Sequence, residues 1–388
     1  MKIKIVTLGC KLNFAESSAL MNTLIARGHT RCKRDEQADV VIVNTCTVTD
    51  TADHKDRQAI HRLKRENPQA RIIVTGCYAR LKPQEIAAMV EVDHVIPKQD
   101  DVFQPAYSRD DRTRCFLKVQ DGCNYFCTYC TIPFARGRSR NPYIKDVVAE
   151  AEQALQEGAK EIILTGVNIG DFGRSTGESF IDLLRTLDAI DGEWRCRISS
   201  CEPNLLTDEI IDFVANSRHF APHFHIPLQS GNNEMLQIMH RHYTRELFAE
   251  RIEHIKRVMP DAFIGVDCMV GVRGETEERF NDYVRFVESL PISQLHVFTY
   301  SERANTRMLE MDLYVVPQKE RDRRSKILHA ISERKLADFY NGQKGKKVTV
   351  LWESKKDGNK MYGFSENYIK VSCPYDRSKI NCFETLIY

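Results

Sequence analysis

The sequence predicts an α/β protein in three parts: an N-terminal open parallel α/β sheet, a central partial TIM-like (β/α)6 barrel and a small C-terminal β-barrel. Two stretches alternate strand-like apolar runs with helical patterns, the first over about 100 residues and the second over about 185 residues. Such alternation is typical of parallel sheets. After Gly342 it gives way to short strands separated by turn residues. We therefore predict domains at 1–105, 112–340 and 341–388.

The first domain shows a βαβαβ rhythm. Its predicted strands are 3–7, 40–44 and 71–75, and its predicted helices are about 16–27 and 52–66. Each strand runs into a cysteine, namely Cys10, Cys46 and Cys77. Because ligand sites of open parallel sheets lie beyond the carboxyl ends of the strands, we expect these cysteines to converge along one edge.

The second domain follows a polar linker, predicted at 97–111, and contains six strand-like runs. These are 115–120, 161–166, 195–200, 223–228, 262–272 and 294–300. Helical patterns separate them at 144–157, 178–190, 206–216, 244–258 and 275–289, and a charged helix is predicted at 317–340. Six β/α units exceed the usual doubly wound domain and favour a partial barrel, with its active site at the carboxyl ends of the strands.

The third domain is predicted to be all-β, with strands within 348–353, 361–365 and 367–371. Residues 341–388 contain nine Lys/Arg and five Asp/Glu, a net charge of +4, although the whole chain carries only +2. A basic β-barrel suits a nucleic-acid backbone, and a merely solvated face is the alternative.

Composition excludes several classes of protein. The chain has 388 residues, of which 42% are hydrophobic and 28% charged, and this excludes wholesale disorder. Its apolar runs are far shorter than the roughly 20 residues of a membrane span, and no apolar signal segment follows Met1, so we expect a cytoplasmic protein with no membrane partner.

Thirteen cysteines in a reducing compartment are not expected to form disulfides. They are either scattered core thiols or, in part, metal ligands.

One cysteine motif is compact: Cys123-x-x-x-Cys127-x-x-Cys130 directly follows the first barrel strand. Zinc sites commonly use two separated cysteine pairs, whereas here three thiols stand together with no fourth nearby. Three thiolates on a 4Fe–4S cubane leave one iron open, as a reactive cluster requires.

This motif looks like that of the radical S-adenosylmethionine (SAM) superfamily. More narrowly, the chain resembles the methylthiotransferase family over essentially its whole length. The resemblance is carried by TLGCKLNFAES, VNTCTVTD, TGCYA, GCNYFCTYCTIPFARGRSR, HIPLQSGNNEML and GETEE. It implies an N-terminal methylthiotransferase domain, a radical-SAM barrel and a C-terminal RNA-binding TRAM domain. It also implies that Cys10, Cys46 and Cys77 hold a second 4Fe–4S cluster.

Residues around the first cysteine and the compact motif look most like the branch that acts on threonylcarbamoyladenosine in tRNA. The resemblance implies methylthiolation of adenine carbon 2 next to the anticodon, in tRNAs that decode ANN codons. SAM would serve as both radical source and methyl donor, and an electron donor such as a flavodoxin or ferredoxin would be needed. Two alternatives remain open: methylthiolation of a ribosomal protein aspartate, and a non-catalytic iron–sulfur protein that binds tRNA.

Candidate SAM contacts lie at the ends of the barrel strands. They are Gly166, Asn168, Ser200, Glu202, Gln229, Ser230 and Gly271. Tyr129 matches the position that packs near the adenine in the superfamily, with plain core packing as its alternative. A surface carboxylate is the alternative for Glu202.

Candidate RNA contacts are basic residues in two places. Arg136 and Arg138 follow the compact motif, and Lys346 and Lys347 open the third domain. Arginine suits bidentate recognition of a phosphate or of the SAM carboxylate. A solvated basic loop is the alternative for the two arginines.

Overall fold

The computed structural model describes residues 1–33, 36–98, 102–108 and 113–388. Part of the predicted linker, including the RDDR run at 109–112, lies outside the described residues, as does the predicted start of the second domain at 112. The three domain boundaries stay predictions.

Fifteen strands and twelve α-helices are found in the described residues. The strands are β1 (Lys2–Thr7), β2 (Thr30–Arg31), β3 (Val40–Thr45), β4 (Arg71–Gly76), β5 (His94–Val95), β6 (Arg114–Lys118), β7 (Glu161–Thr165), β8 (Arg195–Ile198), β9 (His223–Gln229), β10 (Phe263–Val270), β11 (Gln294–Thr299), β12 (Lys347–Asp357), β13 (Lys360–Phe364), β14 (Lys370–Pro374) and β15 (Phe383–Ile387). The helices are α1 (Lys11–Ala26), α2 (Asp50–Glu66), α3 (Cys77–Leu81), α4 (Pro83–Ala87), α5 (Ile132–Arg136), α6 (Ile144–Gln156), α7 (Phe180–Asp188), α8 (Asp208–Asn216), α9 (Asn233–Ile238), α10 (Arg245–Val258), α11 (Glu277–Ser289) and α12 (Gln318–Gln343).

The N-terminal sheet has five parallel strands in the order β2-β1-β3-β4-β5. Strand β3 is buried along its whole length, as expected of a central strand covered on both faces. Register aligns the strand ends, because Thr7 pairs with Asn44 and Thr45 pairs with Gly76. The segments that leave β1, β3 and β4 therefore start from the same edge of the sheet.

The central region is a partial barrel of six parallel strands. Strands β6, β7 and β8 form one three-stranded sheet, and β9, β10 and β11 form another. Two single bridges join them, Cys196 to Phe220 and Ser200 to His225. Apolar residues on the outer faces of these strands pack against the surrounding helices in one continuous core. The predicted α/β class and parallel sheets are confirmed.

The C-terminal region is a curled antiparallel sheet in the order β14-β13-β12-β15, which leaves β14 and β15 as edges. It is thus a half-barrel, as fits a TRAM-like domain. Its core contains Val350, Trp352 and Met361. The sequence did not predict β15, because FETLI alternates polar and apolar residues over only five positions.

The C-terminal sheet covers the amino-terminal ends of the barrel strands. Arg195, which begins β8, donates to the carbonyls of Thr349 and Phe364, both at 3.2 Å. Arg197 on the same strand donates to the carbonyl of Ser365 at 2.6 Å. The sheet therefore lies at the end of the barrel opposite to the carboxyl ends of its strands.

Within the described residues, no helix combines the length and the apolar character needed to cross a membrane.

Candidate functional site

A cavity of about 280 Å³ lies at the carboxyl ends of the barrel strands. It is lined by eight residues that the sequence singled out: Cys123, Cys127, Tyr129, Cys130, Asn168, Ser200, Glu202 and Gln229. Val48 and Thr49, which closely follow Cys46, line the same cavity. The cavity is therefore shared between the barrel and the N-terminal sheet.

The loop that carries the compact cysteine motif is held by backbone contacts. Gly122 has φ +71°, and a Cβ there would lie 2.0 Å from the carbonyl oxygen of Arg138, so this position requires glycine. Cys123 N–H donates to the carbonyl of Gly137 at 3.1 Å, and Cys130 N–H donates to the carbonyl of Cys127 at 3.0 Å. The loop thus places three thiols on one wall of the cavity.

Each sulfur of the motif accepts one N–H hydrogen bond. The donors are Tyr125 N–H to Cys123 Sγ (3.4 Å), Ile132 N–H to Cys130 Sγ (3.4 Å) and Arg241 Nη1 to Cys127 Sγ (3.1 Å). Burial raises the pKa of Cys123 to about 11 and that of Cys130 to about 12. These thiols are consequently protonated at neutral pH until a metal displaces their protons.

Three of the predicted strand-end residues present unsatisfied or charged groups to the cavity. Asn168 is buried, and its side-chain amide has no hydrogen bond of good geometry among the described residues. Gln229 has φ +62°, a strained value for a residue other than glycine, and its buried Oε1 has no partner among the residues that the structure describes. Burial raises the pKa of Glu202, which is ion-paired with Arg241.

Three other predicted SAM contacts do not line the cavity. A Cβ on Gly166 would lie 2.8 Å from Ile169 Cγ2, and one on Gly271 would lie 2.3 Å from Arg321 Cγ, so packing within the protein explains both glycines. Ser230 is buried and accepts a hydrogen bond from Asn232 N–H at 3.3 Å. These three lie outside the cavity lining and stay predictions as SAM contacts.

Arg241 is a cavity residue that the sequence did not point to. Its Nη1 lies 3.1 Å from Cys127 Sγ and 3.3 Å from the hydroxyl of Tyr129, and its Nη2 pairs with Glu202. It lies 114 positions from Cys127 along the chain. No local spacing signals a contact between residues so far apart in the sequence. The one available signal is that Arg241 is a basic residue in a segment that follows a barrel strand.

The three N-terminal cysteines leave adjacent strands at the same edge, as predicted. Cys10 caps α1, Cys46 directly follows β3, and Cys77 begins α3 directly after β4. Gly9 has φ +113°, and a Cβ there would lie 2.8 Å from Cys46 Cβ, so the loops before Cys10 and around Cys46 touch. Burial raises the pKa of Cys46 to about 12, and the thiols of Cys77 and Cys10 add to this rise.

Arg136 differs from its prediction as an RNA contact, because it is only 2% exposed. Its guanidinium lies 3.1 Å from Glu16 Oε1 and 3.0 Å from Asp121 Oδ1, and it donates to Asn13 Oδ1 at 2.5 Å. Asn13 and Glu16 belong to α1, so Arg136 joins the N-terminal sheet to the barrel. The basic pattern gave no sign that acidic partners from another part of the chain would bury this arginine.

The other predicted RNA contacts are exposed. Arg138 and Lys347 are exposed at the surface. Lys346 is also exposed and forms an ion pair with Asp261 on the barrel. These three residues stay predictions for RNA binding.

Two family models match the chain, one over the N-terminal sheet and the other over most of the barrel. The radical SAM superfamily matches residues 117–287, which carry the compact motif and most of the barrel. Uncharacterized protein family UPF0004 matches residues 2–97, which carry Cys10, Cys46 and Cys77.

Full-length relatives are more specific. A Bacillus subtilis protein named threonylcarbamoyladenosine tRNA methylthiotransferase MtaB is 37% identical over 404 residues, covering 94% of this chain and 88% of the relative. The chain belongs to the radical-SAM methylthiotransferase family. An Aquifex aeolicus methylthiotransferase of the same name is 35% identical, with 96% of each chain covered. A Carboxydothermus hydrogenoformans methylthiotransferase, named tRNA-2-methylthio-N(6)-dimethylallyladenosine synthase, is 30% identical, covering 92% of this chain and 90% of the relative.

Solved structures support the fold of this methylthiotransferase. The radical S-adenosylmethionine methyltransferase TsrM from Kitasatospora setae, with cobalamin and a [4Fe–4S] cluster bound, matches with a TM-score of 0.55 at 15% identity, covering 79% of this chain and 77% of TsrM. The cobalamin-dependent S-adenosylmethionine radical enzyme OxsB matches with a TM-score of 0.52 at 11% identity, covering 87% of this chain and 56% of OxsB.

The family uses SAM and two 4Fe–4S clusters. This chain has two sets of three cysteines, the compact motif and the Cys10, Cys46 and Cys77 set, which gives one set for each cluster. Among the described residues, neither cysteine set brings three sulfurs within 4.8 Å of one another. A single tetrahedral zinc with bonds of about 2.3 Å would hold sulfurs about 3.8 Å apart. The wider spacing suits a cluster better than a single ion.

Proposed function

We propose that this enzyme transfers a methylthio group to carbon 2 of threonylcarbamoyladenosine in tRNA, next to the anticodon. The observation that carries the proposal is the shared cavity, because residues next to Cys46 and the three cysteines of the compact motif line it together. The substrate follows the names of the Bacillus subtilis and Aquifex aeolicus relatives, which match along nearly the whole chain. The tRNAs are those that decode ANN codons.

Cys123, Cys127 and Cys130 would hold the cluster that binds SAM. Bound there, the cluster and SAM supply the radical that makes the unreactive C2–H bond of adenine replaceable. The chain contributes placement and exclusion of water. Three N–H donors orient the sulfurs, and hydrogen bonds to cluster sulfurs tune the reduction potential.

The polar groups around the cavity suit the polar parts of SAM. Arg241 can turn from Glu202 to a ligand carboxylate, and Glu202 is then free to accept hydrogen bonds from an ammonium group or from ribose hydroxyls. Within the described part of the chain, the amide of Asn168 and Oε1 of Gln229 have no hydrogen-bond partner of good geometry, and we assign them to SAM as well. Tyr129 contributes the aromatic surface next to the cysteines.

Cys10, Cys46 and Cys77 would hold the second cluster, which would supply the sulfur of the methylthio group. The cation of Arg136 acts to lower the pKa of Cys77, against the effect of burial. Its charge therefore favours thiolates, and so a negatively charged cluster, at this edge of the sheet. Because Arg136 also donates to Asn13, it joins the helix that follows the compact motif to the helix that begins after Cys10.

Arg138, Lys347 and the curled C-terminal sheet would bind the tRNA backbone. The net charge of +4 in residues 341–388 supports this role, since phosphates supply most of the affinity in nucleic-acid binding. We expect the reaction to take place in the cytoplasm, with a flavodoxin or ferredoxin as electron donor.

Two measurements test the proposal against its alternatives. Nucleosides from a strain lacking the gene should lose 2-methylthio-threonylcarbamoyladenosine and regain it with the wild-type gene. Its persistence at normal level would exclude this substrate and direct attention to a protein aspartate. Anaerobically reconstituted, reduced enzyme should release 5′-deoxyadenosine from SAM, whereas a non-catalytic iron–sulfur protein would not.

A further inference from the structure

Three side chains that the proposed function does not use converge inside the barrel. They are His225 on β9, Asp267 on β10 and His296 on β11. His225 Nε2 lies 2.8 Å from Asp267 Oδ1 and 3.1 Å from His296 Nδ1, and His296 Nδ1 lies 3.3 Å from Asp267 Oδ1. Two ring nitrogens and one carboxylate oxygen thus surround a single point.

Strand register explains this convergence. Asp267 pairs with His296, and Gly265 pairs with His225. A Cβ on Gly265 would lie 3.3 Å from His296 Cε1 and 3.6 Å from His225 Cδ2, so both imidazoles lie over the backbone of position 265.

Hydrogen bonds alone cannot satisfy all three atoms. If both rings carry their proton on the facing nitrogen, both N–H groups point at Asp267 Oδ1 and crowd each other, because their nitrogens are only 3.1 Å apart. If only one ring does, the lone pair of the other nitrogen faces the carboxylate oxygen at 2.8 or 3.3 Å. Either arrangement leaves one repulsive contact, whereas a cation at the centre would interact favourably with all three lone pairs.

The spacing also fits a metal ion. Ligand atoms about 2.0–2.1 Å from a metal, at angles between the octahedral and tetrahedral values, lie about 2.8–3.4 Å apart. The three measured distances fall inside this interval. We propose that His225, Asp267 and His296 bind one divalent first-row transition-metal ion.

The charge and exposure of the three groups suit this role. The carboxylate of Asp267 lies 2.8 Å from His225 Nε2 and 3.3 Å from His296 Nδ1, so one acidic oxygen faces both imidazoles. The side chains of His225, Asp267 and His296 are 23%, 18% and 39% exposed to the lumen. Two imidazoles and a carboxylate are ligands that Zn²⁺ and Fe²⁺ accept, and three protein ligands leave positions open for an oxygen ligand from the lumen.

The test uses Zn²⁺ as the probe and the enzyme with both clusters reconstituted. We expect one zinc per chain to remain after gel filtration. Zinc-edge X-ray absorption should show only nitrogen and oxygen neighbours at about 2.0–2.2 Å, and no sulfur at about 2.3 Å. Because the readout is zinc content and zinc neighbours, it does not depend on methylthiolation.

Asp267→Asn and His296→Gln should each weaken zinc binding at least about tenfold, with unchanged iron content and circular dichroism. His254→Gln is the matched control, because His254 contacts Asp208 and Asp212 through opposite ring nitrogens (2.9 and 2.7 Å) and cannot bring them to one point. If Asp267→Asn fails to fold, the partly exposed His296 variant decides the question. Absence of stoichiometric zinc, sulfur neighbours around the zinc, or equal binding by the folded variants would overturn the proposal.

Discussion

The guanidinium of Arg303 lies 3.0 Å from the carboxylate of Asp53, and these side chains are only 4% and 2% exposed. Arg303 belongs to the segment after β11, whereas Asp53 lies in the first turn of α2, shortly after Cys46. Arg303 also donates to Thr47 Oγ1 at 2.6 Å. A barrel segment therefore holds the chain that presents Cys46.

Arg303→Met should release this chain and loosen the N-terminal cluster. Removing one partner of a buried ion pair costs up to about 3–5 kcal/mol, and less here because Lys82 Nζ still lies 3.2 Å from Asp53 Oδ2. We expect iron to be lost from the Cys10, Cys46 and Cys77 set, while 5′-deoxyadenosine formation is retained. Iron analysis and Mössbauer spectroscopy measure the iron at the two sites.

Arg273→Met is the control, since the Arg273–Glu302 pair (3.0 Å) joins two segments of the barrel. Equal iron loss in both variants would contradict the role assigned to Arg303.

Replacing Cys10, Cys46 and Cys77 together with Ala should remove about half of the bound iron and abolish methylthiolation. SAM cleavage should survive, because the compact motif keeps its own ligands. The matching replacement of Cys123, Cys127 and Cys130 should remove the other half and abolish cleavage. Iron unchanged by the first replacement would refute a second cluster.

Arg241→Gln should lower the rate of SAM cleavage about 10- to 100-fold, the usual cost of losing a group that supports a metal ligand. It should also make the reduction potential of the cluster more negative, because Cys127 Sγ loses a charged donor at 3.1 Å. A redox titration monitored by electron paramagnetic resonance checks the potential. Arg245→Gln is the control, since Arg245 pairs with Asp282 at 2.8 Å and not with a cysteine. An unchanged potential would show that Arg241 acts on SAM alone.

The sequence predicted the strands better than the contacts between them. Buried runs such as VVIVNT carry a local apolar signal, and they became strands within one or two residues of their predicted limits. The three cysteines Cys10, Cys46 and Cys77 were also placed at one edge correctly, because strand ends align in a parallel sheet.

A long-range partner explains why Arg136 differs from its prediction. Arg136 resembled a surface cation because Glu16, its partner, lies 120 positions away. Gly166 and Gly271, which were predicted to contact SAM, have close neighbours within the protein: Ile169 and Gln120 beside Gly166, and Arg321 beside Gly271. Ser230 is buried away from the cavity. Local patterns specify strand and helix positions, whereas such contacts depend on the packed fold.

Lys347→Gln and Arg138→Gln should each weaken tRNA binding and reduce the slope of log affinity against log salt by about 1, as expected for one lost phosphate contact. Filter binding at several salt concentrations measures both quantities. Arg185→Gln on the outer helix α7 is the control, because Arg185 pairs with Glu209 at 2.7 Å. A salt slope unchanged in both test variants would place the RNA elsewhere.

Glu150 should give stability a pH dependence. Burial raises its pKa to about 7, and the like charge of Asp146 adds to the rise. Since the folded state then holds the proton more tightly than the unfolded state, stability is highest below about pH 4.5 and falls as the pH rises to about 7. Partial exposure limits the effect to about 3 kcal/mol at most.

Glu150→Gln removes this titration, so its melting temperature should exceed that of the wild type by more at pH 7.5 than at pH 5. Glu152→Gln, an exposed position on the same helix, should show no such difference. A constant gap between Glu150→Gln and the wild type across this range would contradict the raised pKa.

The C-terminal sheet covers the amino-terminal ends of the barrel strands, while the cavity opens at their carboxyl ends. Strand β9, with seven residues at about 3.3 Å each, sets the separation at roughly 20 Å. An RNA that touches both places must extend along the outside of the barrel. If the C-terminal sheet binds RNA as proposed, a free nucleoside or a very short hairpin would reach only one of the two places, and we expect the enzyme to select its substrate by length as well as by base.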